Sequence, residues 1–270
     1  MYWIDGEEQA QIALSDRGLN YGDGCFTTAR VWQGRIDGLC AHLARMQHAC
    51  ARLQIYGVDW ACWQAEAERA AALQGEGMLK SMITRGSGGR GYDPHGADTP
   101  RRILLTAAAP AHYPKLRERG ITLSVSPIRL ARQPLLAGIK HLNRLEQVLI
   151  RANLAQSAAD EALVLDTQDR LVECCAANLF WRCGQQVFTP RLTQCGVDGV
   201  MRQRICRLLA SSSYRLHEVE SGLEALLQAD EVVVCNALMP LLPVNQAAGR
   251  RFTARTLYQF LLPHCLNGEA

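Results

Sequence analysis

The chain has 270 residues, a formal net charge of +3 and a pI near 8.3, a balance too mild to indicate nucleic acid as a partner. That length predicts one large or two medium domains. No apolar run reaches the roughly 18 residues of a membrane span, and Met1-Tyr-Trp-Ile-Asp-Gly6 lacks the basic and apolar regions of an export signal, so a cytoplasmic protein is expected. Eleven cysteines, an odd count without a Cys-x-x-Cys pair, read as small core residues in a reducing compartment. The seven histidines are dispersed, and no metal site is expected.

Tyr2 to Ile4 and Gln9 to Leu14 read as strands joined at Asp5-Gly6, a hairpin dipeptide. The turn-rich loop Ser15 to Gly24 leads into a strand, Cys25 to Trp32, whose alternation puts Phe26, Thr28 and Arg30 on one face. Helices follow over Leu39 to Ile55, with apolar positions at helical spacing and Arg45 off that stripe, and over Trp60 to Leu73. Met78 to Thr84 is a strand, then comes the glycine-rich loop Arg85 to Tyr92, then the strand Arg101 to Ala108. Residues 1–110 are expected to form a smaller N-terminal α/β domain, 111–120 a linker, and 121–270 a larger C-terminal cofactor-binding domain.

The second part opens with the strand Ile121 to Ser126, and a helical period begins at Leu142 with Leu145, Val148 and Leu149. Glu161 to Asp166 with Leu171 to Cys174, and Asn178 to Arg182 with Gln186 to Thr189, read as antiparallel hairpins, which argues against a dinucleotide fold of parallel strands. Gly199 to Ser212 is a helix, Arg215 to Val219 a strand, Gly222 to Gln228 a short helix, Glu231 to Cys235 a strand, and Ala254 to Leu262 a closing helix.

The chain has only three lysines, Lys80, Lys115 and Lys140. Lys140 follows the apolar run Leu135 to Ile139 and sits where a loop meets a helix. An ammonium sheds its proton when desolvated and arginine does not, so imine chemistry requires a lysine. Four further features bear on it. Glu173 lies in the largely apolar run Leu171 to Asn178, where a carboxylate needs a cation or a protonated ring nitrogen. Gly196-Val-Asp-Gly-Val-Met-Arg202 is a glycine-rich turn entering a helix whose first amides suit a phosphate. Arg45 offers a fork of donors to the same phosphate, and Cys235-Asn-Ala237 ends a strand with another polar group. Singly, each has a plainer reading: Glu173 as a hairpin-edge acid, Gly199 as an ordinary helix start, Arg45 as a solvated helix residue. Together they supply imine, pyridinium partner and phosphate anchor, the needs of a pyridoxal phosphate enzyme.

The order Asp16-Arg-Gly-x-x-Tyr-Gly-Asp-Gly24, Lys140 with its helix, Glu173 followed by Asn178, and Gly199-Val-Met-Arg202 resembles the fold-type IV pyridoxal phosphate enzymes, branched-chain and D-amino-acid aminotransferases among them. Gly22 to Arg30, Arg85 to Tyr92, Ala137 to Ile150 and Glu173 to Trp181 are similar to the aminodeoxychorismate lyases of folate synthesis. The resemblance implies a two-domain α/β (α+β) subunit with mixed, mostly antiparallel sheets, a homodimer, and pyridoxal 5'-phosphate in the interdomain cleft. It implies Lys140 as Schiff-base lysine and general base, Glu173 on the pyridine nitrogen, and Arg45 with the backbone of Val200, Met201 and Ala237 on the phosphate. Asn178 joins the cofactor-binding set, Asn236 faces cofactor and substrate, and Thr28, Arg90, Arg30 and Tyr92 meet the substrate, 4-amino-4-deoxychorismate. Thr28 is also a candidate catalytic residue, and Arg90 reaches in from a partner subunit. The motifs around Lys140 and Glu173 serve an aminotransferase equally, and the Thr27-Thr28 pair with the lyase-like segments favours elimination; a non-catalytic pyridoxal phosphate-binding protein would keep Lys140 and the phosphate anchors but not Thr28 or Arg90.

Overall fold

Asp5 and Gly6 take positive φ angles of 51° and 86°, a tight turn that folds β1 (Tyr2–Ile4) back on β2 (Glu7–Glu8). The structure, a computed structural model, describes residues 1–266. Its chain divides into two units, Met1–Pro110 with Ile139–Asn143, and Ala111–Gly138 with residues 144–266. In the first, α1 (Arg17–Tyr21) is capped by the Asp16 carboxylate, which accepts the Gly18 amide. After it come β3 (Gly24–Trp32), β4 (Arg35–Ile36), α2 (Leu39–Arg52), α3 (Trp60–Gln74), β5 (Gly77–Thr84) and β6 (Arg101–Ala107).

The six strands form an antiparallel sheet in the order β2-β1-β6-β5-β3-β4. Alternation along β3 buries Cys25, Thr27, Ala29 and Val31, and leaves Phe26, Thr28 and Arg30 half-buried on the other face. The buried side meets Met46, Ala49 and Cys50 of α2 and Trp63, Ala67, Ala70 and Ala71 of α3. The free edge of β3 ahead of β4 is taken by the excursion Ile139–Asn143. Phe26 N–H donates to the Lys140 carbonyl at 2.9 Å, and Leu142 N–H to the Gly24 carbonyl at 3.0 Å. Lys140 is thus held by backbone pairing to the first unit, although it lies within the stretch expected to form the C-terminal domain.

The second unit contains α4 (Tyr113–Arg119), β7 (Ile121–Val125), α5 (Leu145–Leu154), β8 (Glu161–Leu165), β9 (Leu171–Cys174), β10 (Asn178–Cys183) and β11 (Gln186–Pro190). These are followed by α6 (Val200–Ala210), β12 (Arg215–Val219), α7 (Leu223–Leu227), β13 (Glu231–Cys235), β14 (Leu242–Ala247), β15 (Arg250–Arg251) and α8 (Thr256–Leu266). Its sheet runs β12-β11-β10-β13-β14-β7-β8-β9, with β15 added to β14. Three of its pairings are parallel, β11 with β12, β14 with β7 and β7 with β8, and the rest antiparallel. One side of β10 and β13 packs Leu179, Trp181, Val232 and Val234 into one core, and the other packs Phe180, Val233 and Cys235 against α6 and α8.

Three expectations change. Gln9 to Leu14 is irregular and exposed: the strand that pairs with β1 is Glu7–Glu8, and the stretch leaves β1 after the Gln9 amide donates to the Tyr2 carbonyl at 3.1 Å. Residues 111–120, expected as a linker, carry α4 and pack Tyr113 and Leu116 on the second unit's core. The helix after Lys140 starts at Leu145, and its stripe Leu145, Val148 and Leu149 is exposed (76%, 60% and 56%) while Ile150 and Leu154 are buried. Period names an apolar face but does not say which of two apolar faces meets the core. The sequence reading holds no strand over Leu242–Ala247, where β14 is a central strand in spite of Pro243, a residue that argues against such a position. Among the described residues, no helix is long and apolar enough to cross a membrane.

Candidate active site

The residues singled out from sequence fall into two groups, one in each unit. In the first, the Lys140 ammonium lies 4.6 Å from the centre of the Phe26 ring, on the open face of β3. Lys80 lies 4.9 Å from the same ring. It is paired in register with Thr28, so Thr28 and Lys80 project side by side. Burial lowers the Lys80 pKa below its usual 10.5. Two of the three lysines therefore bracket one aromatic ring beside a threonine hydroxyl. A half-buried cation so placed is suited to an anionic ligand. Sequence reading passed over Lys80; the signal was its even spacing along a strand facing Thr28.

Thr27 points to the opposite, covered face of β3. Its hydroxyl accepts a hydrogen bond from Arg45 Nη2 at 3.0 Å and lies 2.6 Å from His42 Nδ1. Arginine only donates, and which of Thr27 and His42 donates in their contact follows the His42 tautomer. Burial first, and the Arg45 charge second, push the His42 pKa down to about 3, so the imidazole stays neutral at working pH. Arg45 is thus oriented from the covered face, while Thr28 and Phe26 share the open one. Arg30 is engaged by the Asp37 carboxylate at 2.7 Å, which spends much of the charge expected to serve a substrate. Arg90 and Tyr92 are exposed on the glycine-rich loop between β5 and β6.

In the second group, Glu173 on β9 is 5% exposed, and its Oε2 accepts the Val197 amide at 2.8 Å. Arg144 lies within its electrostatic reach. Burial lowers the Arg144 pKa, and the charges of Glu173 and Glu146 oppose that shift. Asn178 donates to the Val197 carbonyl at 2.8 Å and presses on Gly199, where a Cβ would come within 2.2 Å of its Oδ1. Asn178, expected in the cofactor-binding set, holds the backbone ahead of α6. Asn236 likewise binds backbone. Its Oδ1 accepts the amides of Leu238 and Met239 at 3.0 and 2.7 Å, and its Nδ2 donates to Ala176 O at 2.9 Å, so the side chain closes its own turn beside Ala237.

The start of α6 is the clearest anion site. Gly199 supplies no side-chain cap, and Asp198, which could have capped, bonds Arg202 and Gln203 instead. The first amides, at Val200 and Met201, therefore keep the positive end of the helix dipole for a ligand. Within the second unit, the buried carboxylate and the uncapped helix start fit the ring nitrogen and the phosphate of pyridoxal phosphate. Among the described residues, no cluster of three or more His, Cys, Asp or Glu is arranged for a metal.

The amino-transferase class IV family matches residues 24–247. The chain belongs to that family. It is 40% identical over 245 residues to an aminodeoxychorismate lyase of Vibrio harveyi, covering 91% of this chain and 90% of that one. The crystal structure of a 4-amino-4-deoxychorismate lyase from Pseudomonas aeruginosa superposes with a TM-score of 0.92 at 38% identity, covering 97% and 98% of the two chains. The Escherichia coli branched-chain amino acid aminotransferase shares the fold, with a TM-score of 0.84 at 20% identity over 96% of this chain and 91% of that one. The fold is thus that of the fold-type IV enzymes, as the motifs implied.

Proposed function

We propose that this chain is a pyridoxal phosphate-dependent aminodeoxychorismate lyase, which converts 4-amino-4-deoxychorismate to 4-aminobenzoate and pyruvate in folate synthesis. The likeness to lyases of that name over nine-tenths of the chain carries the reading. When bound, pyridoxal 5'-phosphate supplies a ring that takes up the electrons released at the substrate.

The chain's residues divide the remaining work. Lys140 carries the cofactor and, once its amine is free, removes the proton from C4 of the substrate. Glu173, which accepts the Val197 amide and lies near Arg144, keeps a proton on the pyridine nitrogen. The amides of Val200 and Met201, the backbone at Ala237 and the Arg45 guanidinium hold the phosphate. The enolpyruvyl group leaves from the carbon next to C4, and Thr28 or Lys140 returns a proton to it. Arg90 receives a substrate carboxylate, with Tyr92 beside it on the same loop.

The protein acts in the cytoplasm as a homodimer on a small molecule, without nucleic acid or membrane. The exposed apolar stripe Leu145, Val148 and Leu149 is a surface that a second subunit would cover, and Arg90 of one subunit would serve its partner's site. The test is 4-aminobenzoate formation, followed by fluorescence, from holoenzyme without any keto acid. Lys140→Ala is expected to lower turnover by at least about 10³-fold. No product from the unaltered enzyme, with amino transfer once a keto acid is added, would replace the lyase by an aminotransferase.

A further inference from the structure

Arg17 sits in the motif Asp16-Arg-Gly18 and is 4% exposed, yet most of what it binds is backbone. Its Nη1 donates to the carbonyls of Gly91 at 3.0 Å, Asp93 at 3.2 Å and Gly88 at 3.5 Å, and its Nη2 to that of Tyr92 at 3.2 Å. Its Nε donates to the Asp23 carboxylate at 2.9 Å, and the Tyr21 ring lies 4.9 Å from the guanidinium carbon. Asp23 is shared with Arg85 at the base of the same loop, and Arg85 also binds the Leu53 and Gln54 carbonyls. One buried cation thus gathers four carbonyls from six consecutive residues. The side chains of that segment, Arg90 and Tyr92 (88% exposed), point away from the core.

A segment holding Gly86, Gly88, Gly89, Gly91 and Gly96 has little backbone order of its own. Carbonyl dipoles turned inward on a guanidinium supply the order from beneath. Gly89 permits it, since a Cβ there would come within 2.1 Å of the Asp93 carbonyl oxygen and 2.9 Å of Arg17 Nη1. A lysine offers three donors around a point and cannot span the plane of the four carbonyls.

We infer that Arg17 is a positioning residue for substrate recognition, clamping residues 88–93 so that Arg90 is presented in one place to a substrate carboxylate. The inference rests on the reading of Arg90 given above. Preorganisation of this kind acts on substrate capture and leaves the chemistry at Lys140 alone.

The experiment uses holoenzyme and compares Arg17→Lys, Arg90→Ala and the double variant. It reads kcat, KM for 4-amino-4-deoxychorismate, the cofactor absorbance band and amide exchange across 88–93. Arg17→Lys is expected to raise KM roughly tenfold with kcat and the cofactor band kept, and to speed exchange at 88–93. In the Arg90→Ala background the same change is expected to add almost nothing to KM. Faster exchange with unchanged KM, in an enzyme where Arg90→Ala does raise KM, would overturn the positioning role. An unchanged KM in Arg90→Ala alone would overturn the reading of Arg90 and with it the substrate role of Arg17; exchange at 88–93 reports the clamp separately. Should Arg17→Lys fail to fold, Gly89→Ala disturbs the clamp with Arg17 intact, and the same outcomes decide.

Discussion

The two glycine-rich loops of the chain, 85–96 and 196–199, put opposite backbone charges to use. In the first, carbonyls of Gly88, Gly91, Tyr92 and Asp93 turn inward on Arg17, so the polarity of the loop is consumed within the protein. In the second, Gly138, Asn178 and Glu173 satisfy the backbone of Gly196 and Val197, and α6 then begins uncapped with its amides kept for an anion. One loop is a rigid arm for side chains, and the other is itself the binding element. Glycine content is the same signal in both; the difference is the sign of the group that packs behind each, a buried guanidinium or a buried carboxylate.

Exchanging that sign tests the comparison most strongly at the second loop. Glu173→Gln keeps an oxygen for the Val197 amide but removes the charge, so the loop should hold while turnover falls by about 10²-fold. Steady-state assay with a near-normal cofactor affinity is the expected pattern; a matching loss of affinity would make Glu173 merely a loop anchor.

At the first loop the corresponding change is Asp23→Asn, which leaves Arg17 and Arg85 facing each other without their shared carboxylate. A fully buried broken pair costs roughly 3–5 kcal/mol, and this carboxylate is 15% exposed, so a loss of about 2 kcal/mol by urea unfolding is expected. Burial alone would raise the Asp23 pKa, but hydrogen bonds and charge from Arg85 and Arg17 bring it below 3.8. A folded pKa below the unfolded one adds stability in full above the unfolded value and loses it as pH falls through the lowered one. The gap between parent and variant should therefore be constant above about pH 5 and close under acid.

The smallest effect concerns the arginine set beside Thr27. Thr27→Val removes the hydroxyl that Arg45 and His42 share, and should weaken cofactor binding about tenfold, from the loss of one hydrogen bond to a charged group. Thr27→Ser should restore it. Because the His42 pKa lies at about 3, titration of cofactor affinity should show no His42 step between roughly pH 5 and 8; such a step would place His42 in a different protonation state.

Much of this was legible beforehand because it is local. The alternation of β3, the period of α2, the hairpins around Asp169 and Gly184, and the strand Glu231–Cys235 follow from side-chain patterns a few residues long. The residue types near Lys140 and Glu173 were legible because only a lysine forms an imine and only a partnered acid survives burial. What the tertiary structure decided is which groups stand behind them. Lys80 joined Lys140 at Phe26 through a cross-strand register, and Asn178 and Asn236 were given to the backbone because neighbouring amides and carbonyls needed partners. Arg17 was aimed at a loop some seventy residues away, β14 was carried into the sheet centre in spite of Pro243, and the apolar stripe of α5 was left facing outward. Each depends on contacts between segments remote in sequence, where burial and the demand that every buried polar group find a partner outweigh local preference.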